Sequence, residues 1–154
     1  LDEIEGILVS PLIRVPGCIA TVHIRSILIP VKTNSDIDTT IPTTMYKLWL
    51  DGDADALLSR GLLAILSKAL FGSDQYFSGR KNRDETENYV SVEDVLQINP
   101  DSVAKMLQLR HFLSQGRNDG LASMMTVIQS QIRGLLPEKD ETLINPFIVQ
   151  DVVS

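Results

Sequence analysis

The chain is poor in the residues that carry most enzyme chemistry. Its 154 residues include one cysteine, Cys18, two histidines, His23 and His111, one tryptophan and only 5% aromatics. A single cysteine excludes a disulfide within the chain and a thiolate-rich metal centre. Two histidines would leave a closed zinc site dependent on carboxylates at unsuitable spacings. There is no Gly-rich phosphate loop, no G-x-S-x-G elbow and no pair of histidines on one helix face. Basic runs are also missing: Arg80, Lys81 and Arg83 are followed at once by Asp84, Glu85 and Glu87. With a net charge of −6, this argues against nucleic acid as a partner, because phosphate contacts need clustered Lys and Arg. The longest apolar stretches, such as Leu62 to Leu66, are too short to cross a bilayer, so no membrane role is expected. No secretory signal is visible and Leu1 is not an initiator methionine, so a processed or excised piece of a longer precursor is expected.

What remains is an ordinary soluble composition, 44% hydrophobic and 22% charged, at a length suited to one core. Residues 18 to 29 read as a strand, with Ala20, Val22 and Ile24 alternating with Thr21, His23 and Arg25. A second strand is expected over Met45 to Leu50. The polar stretch at about 30–44 between them reads as a long hairpin insertion. Asp51, Asp53 and Asp55 then read as a turn into a helix, where a carboxylate caps free N–H groups and meets the positive end of the dipole. A calcium loop is the rival reading, but its closing acid is replaced by Leu62, which favours capping. The helix carries Leu58, Leu62, Ile65, Leu66 and Ala69 at helical spacing, with Gly72 as its stop.

A second polar insertion is expected at about 73–90. Ser91 and Asp94 resemble a capping box opening a short helix, and Asn99-Pro100 restarts the chain into another that reaches about Leu107 to Leu109. Ser114 opens the last helix, whose stripe is Leu121, Met125, Ile128, Ile132 and Leu135, with Pro137 as its end. Met124 and Met125 are expected in the core. These elements predict an α+β domain over residues 1–137, a small antiparallel sheet packed on one side by several helices, followed by a C-terminal tail at 138–154.

The one promising chemical feature is Arg14-Val15-Pro16-Gly17-Cys18. Pro16 fixes its own φ and Gly17 admits conformations closed to other residues, so the thiol sits on a turn entering a strand. A turn tip either presents its side chain or folds it underneath. An ordinary thiol is only a few per cent ionised at neutral pH, and a nearby cation such as Arg14 or Arg117 would raise that fraction. A thiolate there could attack the outer sulfur of a partner's persulfide. No second cysteine exists to resolve the product as a disulfide, which suits a carrier better than a dithiol oxidoreductase. The residues alone leave open whether Cys18 is functional or a buried small hydrophobe.

Three blocks carry a family resemblance: Arg14-Val-Pro-Gly-Cys18 with Val22; Leu48-Trp-Leu-Asp-Gly-Asp-Ala-Asp-Ala56 leading into Gly61-Leu-Leu-Ala-Ile65; and Leu113-Ser-Gln-Gly-Arg-Asn-Asp-Gly-Leu-Ala-Ser-Met125. In this order they resemble the SufE family. The resemblance implies a SufE/NifU-like fold and acceptance of sulfur on Cys18 from a SufS-type cysteine desulfurase. It further implies stimulation of that enzyme and supply of sulfur to a downstream iron–sulfur scaffold. The chain itself would need no cofactor, the pyridoxal phosphate belonging to the desulfurase. Arg14, Pro16, Gly17, Arg117 and Asp119 would form the thiolate environment or the docking surface, and Asp51, Asp53 and Asp55 a helix cap bordering it.

Two features depart from the family pattern. Only thirteen residues precede Arg14, where a helix or more is usual. Ile-Ala-Thr-Val-His follows Cys18, with His23 where Trp is expected; His23 reads as a half-exposed strand residue, and His111 as packing or solvent. The insertions point to a plastid stroma, or otherwise to the bacterial cytoplasm. The rivals are a non-catalytic adaptor with a packed cysteine and a regulatory thiol forming mixed disulfides.

Overall fold

The computed structural model describes residues 6–31, 45–71 and 91–136. The tail expected at 138–154, the stops expected at Gly72 and Pro137, and all of the two polar stretches except Pro30 and Val31 lie outside these residues.

The centre of the sheet is β3 (Val22–Val31). Val22, Ile24, Ser26 and Leu28 are buried while His23, Arg25, Ile27 and Ile29 are only half-covered, the alternation of a sheet with one packed face. Along one edge β3 pairs antiparallel with β4 (Met45–Ala54), in a register running from Val22 opposite Ala54 to Val31 opposite Met45. The other edge takes two short strands, β1 (Leu8–Val9) and β2 (Ile13–Arg14), with Leu8 opposite Leu28 and Ile13 opposite Ile24. Together these make a small four-stranded antiparallel sheet. Helix α1 (Leu57–Phe71) packs on β4, and α4 (Gln115–Leu135) packs on β3. This is the expected α+β arrangement.

The helix starts follow their capping chemistry. The Ser91 hydroxyl accepts the Asp94 N–H at 3.1 Å and opens α2 (Val92–Gln97). Asn99 Oδ1 accepts the Asp101 N–H at 3.1 Å and starts a single 3₁₀ turn (Pro100–Ser102) that runs into α3 (Val103–Met106). That helix stops before the expected Leu107, and Gln108 takes a left-handed φ of 60° that turns the chain away. Ser114 caps α4 by accepting the Arg117 N–H at 3.3 Å. On α4, Leu121, Met125, Ile128 and Ile132 are sealed in the core, with Met124 beside them.

Two expectations need correction. The strand expected from residue 18 begins at Val22, because Pro16 and Gly17 form a turn and Ile19 and Ala20 a bend. The acidic segment is also not a turn that caps α1: β4 continues through Asp51, Gly52 and Asp53 to Ala54. The first turn of α1 holds no acidic residue. Pairing with residues 22 to 25 of β3 satisfies the backbone there, overriding the weak strand preference of Asp and Gly. Asp51 Oδ2 instead accepts from Arg25 Nη2 at 2.8 Å across the strands. Asp53 Oδ1 accepts the Ala54 N–H at 2.8 Å and Arg60 Nε at 3.1 Å.

One buried polar cluster ties the far end of α4 to the sheet. Gln131 Oε1 accepts the Ser26 hydroxyl at 2.8 Å, and its amide donates to the carbonyls of Ile24 at 2.8 Å and Pro11 at 3.2 Å. Ser10 and Ser26 complete it: the Ser10 N–H donates to Ser26 O and the Ser26 N–H to Ser10 Oγ, both at 2.9 Å. Each of these buried groups has a partner, as burial demands.

Candidate functional site

The segment between β2 and β3 is held firmly at both ends. Val15 is buried, and its N–H donates to Val22 O at 2.8 Å. Thr21 and Asp55 bond reciprocally: the Thr21 N–H reaches Asp55 Oδ1 at 2.9 Å and the Asp55 N–H reaches Thr21 O at 3.1 Å. The third acid of the acidic segment thus anchors this turn to the end of β4. Between the anchors, Pro16 and Gly17 are exposed and Cys18 is half-buried. Gly17 has φ +75°, a conformation that side chains on L-residues resist, so the sequence turns here because glycine stands here.

Cys18 lies against α4. Its thiol donates to the Gly120 carbonyl at 3.6 Å, a long and weak bond typical of sulfur. A Cβ on Gly120 would stand 3.3 Å from Cys18 Sγ, and one on Gly116 would stand 2.8 Å from Ile19 Cδ1. Ser123, one turn further along, lies 3.8 Å from where a Cβ on Gly17 would be. Gly116, Gly120 and Ser123 share one helix face at i, i+4 and i+7. That face is a shallow seat for the turn, with Ile19 itself 69% exposed at its rim.

Burial pushes the Cys18 thiol up from its ordinary pKa of 9.0, because removing water penalises the thiolate. This runs against the enrichment in thiolate expected from neighbouring arginines. Arg14 lies on β2 opposite His23, with its side chain exposed. Arg117 Nη1 donates to Ser59 Oγ at 3.4 Å, joining the start of α4 to α1. Asp119 is exposed and accepts from Gln115 Nε2 at 2.9 Å, within its own helix. The structure therefore gathers Gly17, Cys18, Gly116 and Gly120, holds the turn through Asp55, and engages Arg117 and Asp119 elsewhere. Asp51 and Asp53 stand along the end of β4. His23 is half-covered on β3 and His111 is exposed.

The two α4 glycines escaped the sequence reading. Their signal was there: two glycines at i and i+4 along the start of a helix leave one face without side chains and mark a place where another backbone comes close.

The family model described as SufE, Fe-S metabolism associated domain, matches residues 5–132. The chain belongs to the SufE family, and so to a domain associated with iron–sulfur metabolism. No curated protein matches the chain. Among the described residues no three His, Cys, Asp or Glu side chains are grouped to hold a metal ion, and no helix is long and apolar enough to cross a membrane.

Proposed function

We propose that this protein accepts sulfane sulfur on Cys18 from a cysteine desulfurase of the SufS type and passes it to an iron–sulfur scaffold. The supporting observation is the placement of the thiol. It sits on a turn bounded by two anchored residues, outside the sealed core, with exposed Pro16, Gly17 and Ile19 around it. The Cys18 sulfur, giving up its proton, attacks the outer sulfur of the partner's persulfide. A new S–S bond forms on Cys18 and the old one breaks. The electron pair leaves on the partner's cysteine sulfur, which takes up a proton. No outside oxidant or reductant is required. Clearing the partner's persulfide in this way stimulates its turnover. The pyridoxal phosphate that generates the persulfide belongs to the desulfurase, and the compartment proposed is a plastid stroma or a bacterial cytoplasm.

In this reading Arg14, Pro16, Gly17, Arg117 and Asp119 contribute to docking, with Asp51, Asp53 and Asp55 along the edge of the docking surface. Mass spectrometry after incubation with a desulfurase and free cysteine is expected to show one added sulfur in the wild type and none in Cys18→Ser. A wild-type chain that stays unmodified would overturn the proposal.

A second reading is favoured by one observation, the half-burial that raises the thiol pKa. In it the domain is an adaptor that binds a desulfurase or scaffold and Cys18 only packs. Desulfurase binding and stimulation that persist in full in Cys18→Ser would establish that reading instead.

A further inference from the structure

Within the turn that carries Cys18, the described contacts divide into two kinds. The anchors at Val15 and Thr21 are backbone bonds of 2.8 to 3.1 Å, strengthened by the Asp55 carboxylate. What holds the tip is the thiol–carbonyl bond at 3.6 Å, contact with the glycine face of α4, and the non-directional packing of Cys18 and Ala20 at the edge of the core. The Gly120 carbonyl is able to serve two donors, because a carbonyl oxygen has two lone pairs and α4 is continuous past it. From Cys18 it can accept only while the sulfur bears hydrogen.

We infer that Gly120 is a positioning residue whose carbonyl latches the turn only while Cys18 is an unloaded thiol, so that gaining a second sulfur releases the tip from α4. This rests on the acceptor reading above. In the thiol, Sγ carries a hydrogen and donates to Gly120 O. In the persulfide, Sγ is bonded to Cβ and to the outer sulfur and has no hydrogen left to donate. Its lone pairs then face those of the carbonyl. The same region is also tight, since even a Cβ on Gly120 would press Sγ at 3.3 Å. An unloaded chain therefore keeps its thiol seated and protonated, and a loaded chain offers its outer sulfur to the next acceptor. The charged groups on the neighbouring elements, Asp55, Arg117 and Asp119, are each bonded elsewhere, which leaves the thiol proton as the local switch.

The test separates this inference from the acceptor reading by loading the sulfur chemically. Inorganic polysulfide transfers one sulfur to the thiolate and leaves as the shorter polysulfide, with no partner enzyme needed. Amide hydrogen exchange over residues 16–21 of the wild-type chain is then compared before and after loading. Exchange is expected to speed up several-fold on loading and to return once a reductant removes the sulfur. Unchanged exchange would overturn the latch even if a desulfurase loads the chain. Release on chemical loading, with no loading by a desulfurase, would leave the latch standing and refute the acceptor reading.

Gly120→Ala supplies the second arm, with Gly134→Ala as its control, since a Cβ at Gly134 meets nothing within 4 Å. Pushing Sγ off its seat is expected to raise the rate of Cys18 alkylation at neutral pH on the order of three- to tenfold, and to shift the alkylation pH profile downward. Gly134→Ala is expected to keep the wild-type profile. A folded Gly120→Ala with the wild-type profile would also overturn the inference.

Discussion

Helix α4 meets the sheet side of the molecule differently at its two ends. Toward its C-terminus, Gln131 makes three hydrogen bonds to Ser26, Ile24 and Pro11 in a buried cluster. Near its N-terminus, Gly116 and Gly120 offer no side chain at all, and the turn that rests on them is joined by one long thiol bond. The first end is directional and fully satisfied; the second is close, apolar and weak. One helix thus fixes the fold with one half and leaves a reactive group releasable with the other. Low local stability is what a segment that must move requires.

This contrast can be broken experimentally, beginning where the largest effect is expected. Gln131→Leu removes three bonds and leaves the buried Ser26 hydroxyl without its acceptor. It is expected to lower stability by about 3 kcal/mol in urea titrations, while the alkylation rate of Cys18 in the folded protein stays at its wild-type value. Altered thiol reactivity would show that the two ends are not independent. Ser114→Ala removes the cap of α4 and is expected to cost about 1 kcal/mol. Because Gly116 and Gly120 lie in the first turns that this cap supports, hydrogen exchange there is expected to rise with it. Arg25→Ala removes an ion pair that is well exposed on both sides, and is expected to cost only about 0.5 kcal/mol, less at high salt.

The smallest effect comes from Cys18 itself. Its folded pKa lies above the ordinary 9.0 of the unfolded chain, so the native state keeps a proton that the unfolded state releases. The resulting stability is fully present below that unfolded value and is lost as pH rises through the folded one. Denaturant titrations across this window are expected to show a steeper alkaline loss in the wild type than in Cys18→Ala. Parallel curves would mean that burial of the thiol is not felt.

Much of this was legible in the chain because short-range chemistry decided it. The alternation of Val22 and Ile24 with His23 and Arg25, the Ser91 and Ser114 caps, and the α4 stripe each depend on a few neighbouring residues. The turn at Pro16-Gly17-Cys18 was legible for the same reason. Strands β1 and β2 were not, since two residues each give no periodicity and Pro11 interrupts them; only the edge of β3 makes them strands. Asp51 to Asp53 were misread because cross-strand pairing outweighed local turn preference. Nothing in the residues around Gln131 marks it as buried, and only the packed sheet shows what its amide satisfies. The glycine seat under Cys18 joins positions 102 residues apart, a separation at which no spacing rule applies.

The pair of bonds between Thr21 and Asp55 sets a leash. Cys18 stands three positions from Thr21 and three from Val15, and a fully stretched chain gains about 3.5 Å per residue, so its Cα stays within roughly 10 Å of either tether while both hold. No donor or recipient more distant than that arc and a side chain's length can be served by a swing of the loop. A sulfur atom taken up at one protein and delivered at another would therefore travel with the whole molecule, by diffusion.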